Sequence, residues 1–326
     1  MIVVTGGAGF IGSILVRELN RRGRQDIIIV ERLGGDERWK NLYDLKFYDL
    51  IDADRFLALL ASNQVPQIEV IFHLGAESST TVTDFAYLLQ NNVAYSQGLF
   101  AYAAQNKIDF IYASSAATYG DGSRGYQEAT MPLKPLNGYG MSKYLFDNWA
   151  LQQTVTPPIW AGLRFFNVYG PNEYHKEGMS SMVWQGFKQA QEKKVIRLFK
   201  SHHPDYADGE QKRDFIYVND VVRGTLDLHA ALDEDHCGIY NLGTGKARSF
   251  KDLALAVFAA LDQKPDIEYI PTPDHIRPQY QYFTQADITK FLSIIPSFTF
   301  TSLEDGVKDY VQNYLLQLPG LNADKK

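Results

Sequence analysis

The chain has 326 residues, with 32 Lys and Arg against 38 Asp and Glu, for a formal charge of −6. Apolar residues make up 45%, enough for a large core, and 25 Gly with 13 Pro is an ordinary globular share, so disorder and collagen-like repeats are excluded. The acidic balance argues against a general polyanion binder, and the single cysteine, Cys237, excludes an intrachain disulfide. No apolar run reaches the ~18 residues of a membrane span, and the strand-like Ile2-Val3-Val4 begins at once, so neither a span nor a signal peptide is expected. Together these features predict a soluble, cytoplasmic protein of about two structural units.

Short apolar runs at Ile2–Thr5, Ile27–Val30, Val70–His73, Phe110–Ala113 and Ala161–Phe166 have strand length. Helical patterns fall between them at Ile11–Arg22, Asp54–Ser62, Phe85–Gln105 and Ser142–Gln153. That alternation predicts a parallel sheet wrapped by helices on both faces. Beyond Pro171 the pattern breaks up. A polar segment, Asn172–Gly178, leads into a helix whose Val183, Phe187 and Ala190 are spaced for core packing, and a Gly/Asp/His-rich loop follows over Lys200–Lys212. Then come a strand at Ile239–Leu242, a helix at Phe250–Leu261, a Pro-rich stretch at Pro265–Pro278 and a last helix at Leu303–Leu316. Lys325-Lys326 reads as a frayed terminus.

Thr5-Gly6-Gly7-Ala8-Gly9-Phe10-Ile11-Gly12 fits G-x-G-x-x-G at Gly7, Gly9 and Gly12, and a wider spacing at Gly6, Gly9 and Gly12. A strand precedes it, a helix follows, and acidic Glu31 ends the next strand. Glycines let the backbone turn tightly and approach a pyrophosphate, whose charge then sits at the helix N-terminus. The expected class is α/β: a Rossmann-type doubly wound parallel sheet over residues 1–167, with return segments near 213–245. Residues 168–212 and 246–326 would mainly form a smaller α/β substrate-binding domain.

Tyr139-Gly140-Met141-Ser142-Lys143 places a phenol and an ammonium at i and i+4, on one helical face. A cation within a few ångströms lowers a phenol's pKa by about 1–3 units, which would prepare Tyr139 for proton exchange near neutrality. Ser114-Ser115-Ala116 leaves the carboxyl end of a predicted strand, where α/β ligands sit, so a serine there can hold a reacting oxygen.

The glycine pattern, Ser114 to Gly120, Tyr139 with Lys143, Arg164-Phe165-Phe166-Asn167-Val168-Tyr169-Gly170-Pro171 and Arg213-Asp214-Phe215-Ile216-Tyr217-Val218 together resemble the extended short-chain dehydrogenases/reductases. This family mostly modifies nucleotide-activated sugars. Ser78-Ser79-Thr80-Thr81, His175-Lys176 after Pro171, and Tyr280 to Asp287 are similar to its branch that inverts C6 of ADP-heptoses. The resemblance implies oxidation of the C6 hydroxyl by a bound dinucleotide and return of hydride to the other face. It implies Tyr139 as one acid/base and Lys176 as the other, with Ser115 and Lys143 in support. Cofactor contacts implied are Gly6, Gly9, Phe10, Ile11, Gly12, Glu31, Arg32, Arg38, Leu74, Gly75, Ala76, Glu77, Ser78, Asn91, Lys143, Val168 and Lys176. Substrate contacts implied are Ser78, Ser115, Asn167, Gly178, Met179, Gln185, Phe199, Arg213 and Tyr280, with Arg213 as a forked diphosphate clamp. Glu31 suits the ribose 2′-OH of NAD, while Arg32, Arg38 and Lys40 suit the 2′-phosphate of NADP; with the family's usage, NADP is expected. The family also implies a homo-oligomer, a pentamer, acting on an ADP-sugar without nucleic acid or membrane partners.

The chain departs from that pattern in places. Glu77 replaces a cysteine, Gln185 a histidine and Ala53 a lysine, and the Lys200–Gln211 loop is longer. A UDP-sugar 4-epimerase is the nearest rival. A 4,6-dehydratase would carry Asp-Glu where this chain has Ala116-Ala117, and a non-catalytic dinucleotide sensor would lack the Tyr139/Lys143 pair. His202-His203 read as solvated loop side chains, and no metal site is expected.

Overall fold

The computed structural model describes residues 1–274, 277 and 280–318; Pro278, at the end of the Pro-rich stretch, and Lys325-Lys326 lie outside them. Seven parallel strands form the main sheet: β1 (Ile2–Thr5), β2 (Ile27–Glu31), β3 (Asp49–Asp52), β4 (Val70–His73), β5 (Asp109–Ser115), β6 (Trp160–Phe165) and β10 (Gly238–Leu242). Their order is β3-β2-β1-β4-β5-β6-β10, the 3-2-1-4-5-6 arrangement of dinucleotide-binding sheets with one strand added. Side chains along a strand alternate between faces, and both faces here are apolar. Ile2, Val4, Ile27, Ile29 and Phe72 bury into one core, and Val3, Ile28, Val30, Ile71 and Phe110 into the other. Each such side chain stabilises the fold by roughly 1.5–3 kcal/mol.

The helices that cover these faces are α1 (Phe10–Arg21), α2 (Ala53–Ala61), α3 (Phe85–Leu88), α4 (Tyr95–Asn106) and α5 (Gly138–Leu151), with a π-helical segment, Leu89–Ala94, between α3 and α4. A single helix over Phe85–Gln105 was the expectation; the wider π turn interrupts it, with Asn91 lining the cleft and the buried Asn92 donating to the Glu77 carbonyl and the Ser142 hydroxyl. Helix α5 starts at Gly138, four residues before the predicted Ser142. Asn137 caps it, its Oδ1 accepting the Gly140 N–H at 2.8 Å. Gly138 and Gly140 mask the start in sequence because glycine is a poor helix former. The structure uses Gly140 for closeness: a Cβ there would lie 2.7 Å from the Ala117 carbonyl oxygen.

Beyond Phe165 the chain builds two small sheets. β7 (Asn167–Tyr169) pairs in parallel with β9 (Lys212–Tyr217), and β11 (Ala247–Ser249) pairs with β9 in antiparallel fashion. β8 (Ile196–Phe199) pairs with β12 (Ile267–Ile270), which lies within the stretch expected to be merely Pro-rich. The intervening helices are α6 (Met182–Lys193), α7 (Val218–Ala231), α8 (Phe250–Ala260), α9 (Thr289–Ile294) and α10 (Leu303–Asn313). Val183, Phe187 and Ala190 are buried, as their spacing predicts. Helix α7 packs back on α1, and β10 closes the main sheet beside β6. Among the described residues, no helix is long and apolar enough to cross a membrane.

Candidate active site

Strand order reverses between β1 and β4, and α/β ligands sit in the crevice outside the carboxyl ends at such a point. The chain leaving β1 meets the chain leaving β4 there: a Cβ on Gly6 would lie 2.7 Å from the Gly75 nitrogen. A Cβ on Gly12 would lie 2.0 Å from the Gly6 oxygen, so α1 begins directly against the turn. Gly9 caps α1 without any side-chain hydrogen bond, leaving the N-terminus to face the cleft. This cradle fits the pyrophosphate of a dinucleotide.

Next to it, Glu31 is buried, and burial raises its carboxyl above the usual range. Its oxygens accept the Ala8 and Arg32 N–H groups, each at 3.1 Å, and the Arg38 Nη1 at 3.3 Å. Arg32 reaches Asn91 at 2.6 Å and pairs with Asp54. Arg38 pairs with Asp36 at 2.8 Å. Glu77, the unexpected charge here, turns onto the Ser79 N–H at 2.9 Å while its own N–H donates to Asn92.

Ser115, Tyr139 and Lys143 line the cleft where β5 ends. The Ser115 Oγ accepts the Ala117 N–H at 3.1 Å, and its hydroxyl faces Tyr139. Burial raises the Tyr139 pKa, and the Ser115 hydrogen bond only partly offsets that. The expectation that Lys143 pulls the phenol down therefore needs correction. The Lys143 ammonium turns instead to the Ala113 carbonyl at 2.9 Å, and burial drives its own pKa down to about 8, against the pull of Asp147. Asp147 accepts from Ser114 at 2.9 Å, Tyr112 at 3.0 Å and the fully buried Arg164 at 3.0 Å.

Opposite stands the strap from Gly170 to Ser181. Lys176 lies over the Phe10 ring, 5.4 Å from its centroid, and burial lowers its pKa. His175 beside it is driven down to about 4 by burial and by Arg38. Arg213 is buried between the Phe250 and Tyr280 rings, 5.4 Å from each centroid, and donates to the Lys212 carbonyl at 2.9 Å. Burial lowers its pKa, with Tyr280, Tyr126 and Tyr206 opposing that shift.

One continuous cleft collects nearly all the predicted residues. Gly6, Gly9, Phe10, Ile11, Gly12, Glu31, Arg38, Leu74, Gly75, Ala76, Ser78, Ser115, Tyr139, Lys143, Asn167, Val168, Lys176, Gly178, Met179, Arg213 and Tyr280 line its main body. Arg32, Glu77 and Asn91 line the end that shares Glu31 and Arg38 with that body. The main body encloses about 710 Å³, within the ~300–1,000 Å³ usual for a ligand pocket. Gln185 and Phe199 stand behind the wall: Gln185 donates to the wall residue Ser180 at 2.7 Å, and the Phe199 ring meets Tyr280 edge-on. Asp147 and Glu173 were missed. Asp147 continues the spacing of Tyr139 and Lys143 by four more residues, a signal present in the sequence; Glu173 gave none.

Residues 2–243 match the NAD dependent epimerase/dehydratase family. The chain is 46% identical over 327 residues to the ADP-L-glycero-D-manno-heptose-6-epimerase of Fusobacterium nucleatum, covering 97% of this chain and 98% of that one. It is 47% identical over 319 residues to the enzyme of the same name from Nitratidesulfovibrio vulgaris, with the same coverage. The crystal structure of the Helicobacter pylori ADP-L-glycero-D-manno-heptose-6-epimerase superposes with a TM-score of 0.81 at 30% identity, covering 96% of this chain and 95% of that one.

Proposed function

Because the chain belongs to the NAD dependent epimerase/dehydratase family, we propose that it converts ADP-D-glycero-D-manno-heptose to the L-glycero epimer by inverting C6, a step in making lipopolysaccharide core precursors. The carbon at C6 has no acidic proton, so direct deprotonation is not available. A bound nicotinamide would take hydride from C6 and return it to the opposite face. Between those events the oxygen on C6 must lose and regain a proton in two poses.

The observation that carries this reading is the pair Tyr139 and Lys176, which line one cleft from two different elements. Tyr139 exchanges the proton in one pose, with the Ser115 hydroxyl holding the oxygen. Lys176, its amine pKa lowered by burial, exchanges it in the other. Lys143 fixes the floor through the Ala113 carbonyl, and Arg213 offers a forked cation to the diphosphate. Full-length likeness at 46–47% to enzymes of the ADP-heptose branch disfavours a UDP-sugar 4-epimerase.

For the cofactor we favour NADP. The Glu31 carboxylate is already engaged by three donors, which leaves it poorly placed to accept from a ribose hydroxyl; the Arg38 guanidinium lies against it, and Arg32 lines the same end of the cleft. We further assign the seven-stranded sheet and its helices to the dinucleotide, and the two small sheets to the sugar nucleotide, in a homo-oligomer working in the cytoplasm. Denaturing the purified protein and identifying the released dinucleotide by mass spectrometry tests the cofactor, with NADP expected and NAD alone reversing the choice. Assaying ADP-heptose against UDP-galactose tests the substrate, and faster turnover of UDP-galactose would end the proposal.

A further inference from the structure

The strap contains a carboxylate for which the proton exchanges above have no direct use. Glu173 is 1% exposed, a costly place for an acid unless donors surround it. One oxygen accepts the Gly170 N–H at 3.4 Å and the Ser181 hydroxyl at 2.7 Å, and the other accepts the Ser181 N–H. Both ends of the strap therefore meet at one side chain. Between them the chain forms only a short 3-10 turn, Tyr174–Met179.

The two donors are themselves fixed. Gly170 sits at φ +145°, and a Cβ there would lie 2.5 Å from Val218 Cγ1, so this position favours glycine. Ser181 caps α6, which puts the Glu173 charge at that helix's N-terminus, where negative charge is stabilised. The main chain of Glu173 takes part as well: its carbonyl accepts the Lys176 N–H at 3.0 Å, setting the turn from which Lys176 extends over Phe10.

We propose that Glu173 is the positioning residue of the strap, stapling residues 170 and 181 together and facing Lys176 with a buried negative charge that holds its ammonium in the cleft. The inference rests on the reading of Lys176 as the second acid/base. Burial lowers the Lys176 pKa and Glu173 raises it again, while burial raises the Glu173 carboxyl itself against the pull of the Ser181 and Gly170 donors and of Lys176. Other charges and titrating groups among the described residues stand around them. His175 lies on the same strap, Arg38 and Asp36 face His175 from the far side of the cleft, and Tyr174 and Tyr310, the latter on α10, face Glu173.

The test follows the reactivity of Lys176 toward an amine-specific reagent against pH, read by peptide mass, together with the pH profile of turnover in the full-length holoenzyme. Glu173→Gln should shift the Lys176 titration down by about one unit or more, since a nearby opposite charge is worth about 1–3 units. The limb of the turnover profile that depends on Lys176 should move with it, and Glu173→Asp should recover most of both. If Glu173→Gln does not fold, Glu173→Asp must still give a smaller shift of the same sign, because it withdraws the charge by one methylene. An unmoved titration in the folded variants, with only a lower melting temperature, would reduce Glu173 to a structural role and overturn the proposal. A titration that moves while turnover does not would leave Glu173 in place and instead remove Lys176 from the chemistry.

Discussion

The two sides of the cleft present Tyr139 and Lys176, the groups proposed to exchange the proton, by different means. Tyr139 rides on α5, a 14-residue helix capped by Asn137 and backed by the main sheet. Beneath it Asp147 ties α5 to β5 and β6 through Ser114, Tyr112 and Arg164. Lys176 rides on a strap with one short 3-10 turn, held by polar anchors. Asn172 donates to Ser13 at 2.9 Å, the Asn41 amide donates to both the Ala8 and Asn172 carbonyls, and Glu173 closes the ends. A group on packed secondary structure keeps its place through many small contacts, whereas a group on a strap depends on a few hydrogen bonds. The first side should lose chemistry without losing shape; the second can lose both together.

Removing the two proposed reacting groups is the strongest way to break this contrast. Tyr139→Phe deletes one hydroxyl from a rigid wall, so cofactor should remain bound while turnover falls by about 10²–10⁴-fold, the usual range for an acid/base group. Near-normal turnover would take Tyr139 out of the chemistry. Lys176→Met should also lower turnover strongly, with little loss of substrate affinity. If affinity falls and turnover holds, Lys176 is an anchor for the diphosphate and the strap is a binding device only.

A second test asks how firmly the sheet side is held. Arg164 and Asp147 are both fully buried, and removing one partner of a buried ion pair costs about 3–5 kcal/mol. Asp147→Asn should lower stability to urea unfolding by that order. A loss below about 1 kcal/mol, the value of an exposed pair, would show that the packing around α5 does not need this network.

The contrast also explains what the sequence discloses. The main sheet is legible because its strands are Ile/Val runs separated by helices, and β1 and β4 fall on the predicted bounds. The Tyr139/Lys143 face is legible because helical spacing writes it into the chain. The small sheets are not: β7 and β11 have three residues each, and β9 gathers partners from 167–169 and 247–249. Such strands owe their form to pairing across long separations rather than to local preference. Glu173 is hidden for a similar reason, since its partners are main-chain groups at 170 and 181 and no side-chain spacing encodes them. Lys176 came into view only by resemblance.

The smallest expected effect concerns the two histidines, one under each side. His175 on the strap faces Arg38 and Asp36; His73, at the end of β4, is buried in a directed chain of hydrogen bonds. Ser96 Oγ gives its hydrogen to the Asn92 carbonyl at 2.7 Å, so it must accept from His73 Nε2 at 2.8 Å. Nδ1 is then the bare nitrogen, accepting the Thr5 hydroxyl at 2.7 Å, and Thr5 in turn accepts the Gly75 N–H at 3.0 Å. A proton on Nδ1 would oppose the Thr5 hydrogen, and burial together with the Lys143 cation drives the His73 pKa down to about 3. An unfolded histidine titrates near ~6.5. Between those values the unfolded chain holds a proton that the folded chain lacks, so this contribution is complete above pH 6.5 and is lost as pH falls toward 3. At pH 5 the loss should be about 2 kcal/mol, from ~1.4 kcal/mol for each unit below the unfolded value. His73→Gln cannot titrate, while His175 acts alike in both proteins and cancels. The stability gap between wild type and variant, measured by urea unfolding, should therefore narrow by about 2 kcal/mol from pH 7 to pH 5. A gap that stays constant over that window would mean that His73 accepts its proton in the folded state, and that the β1–β4 crevice is less tightly locked than its hydrogen bonds indicate.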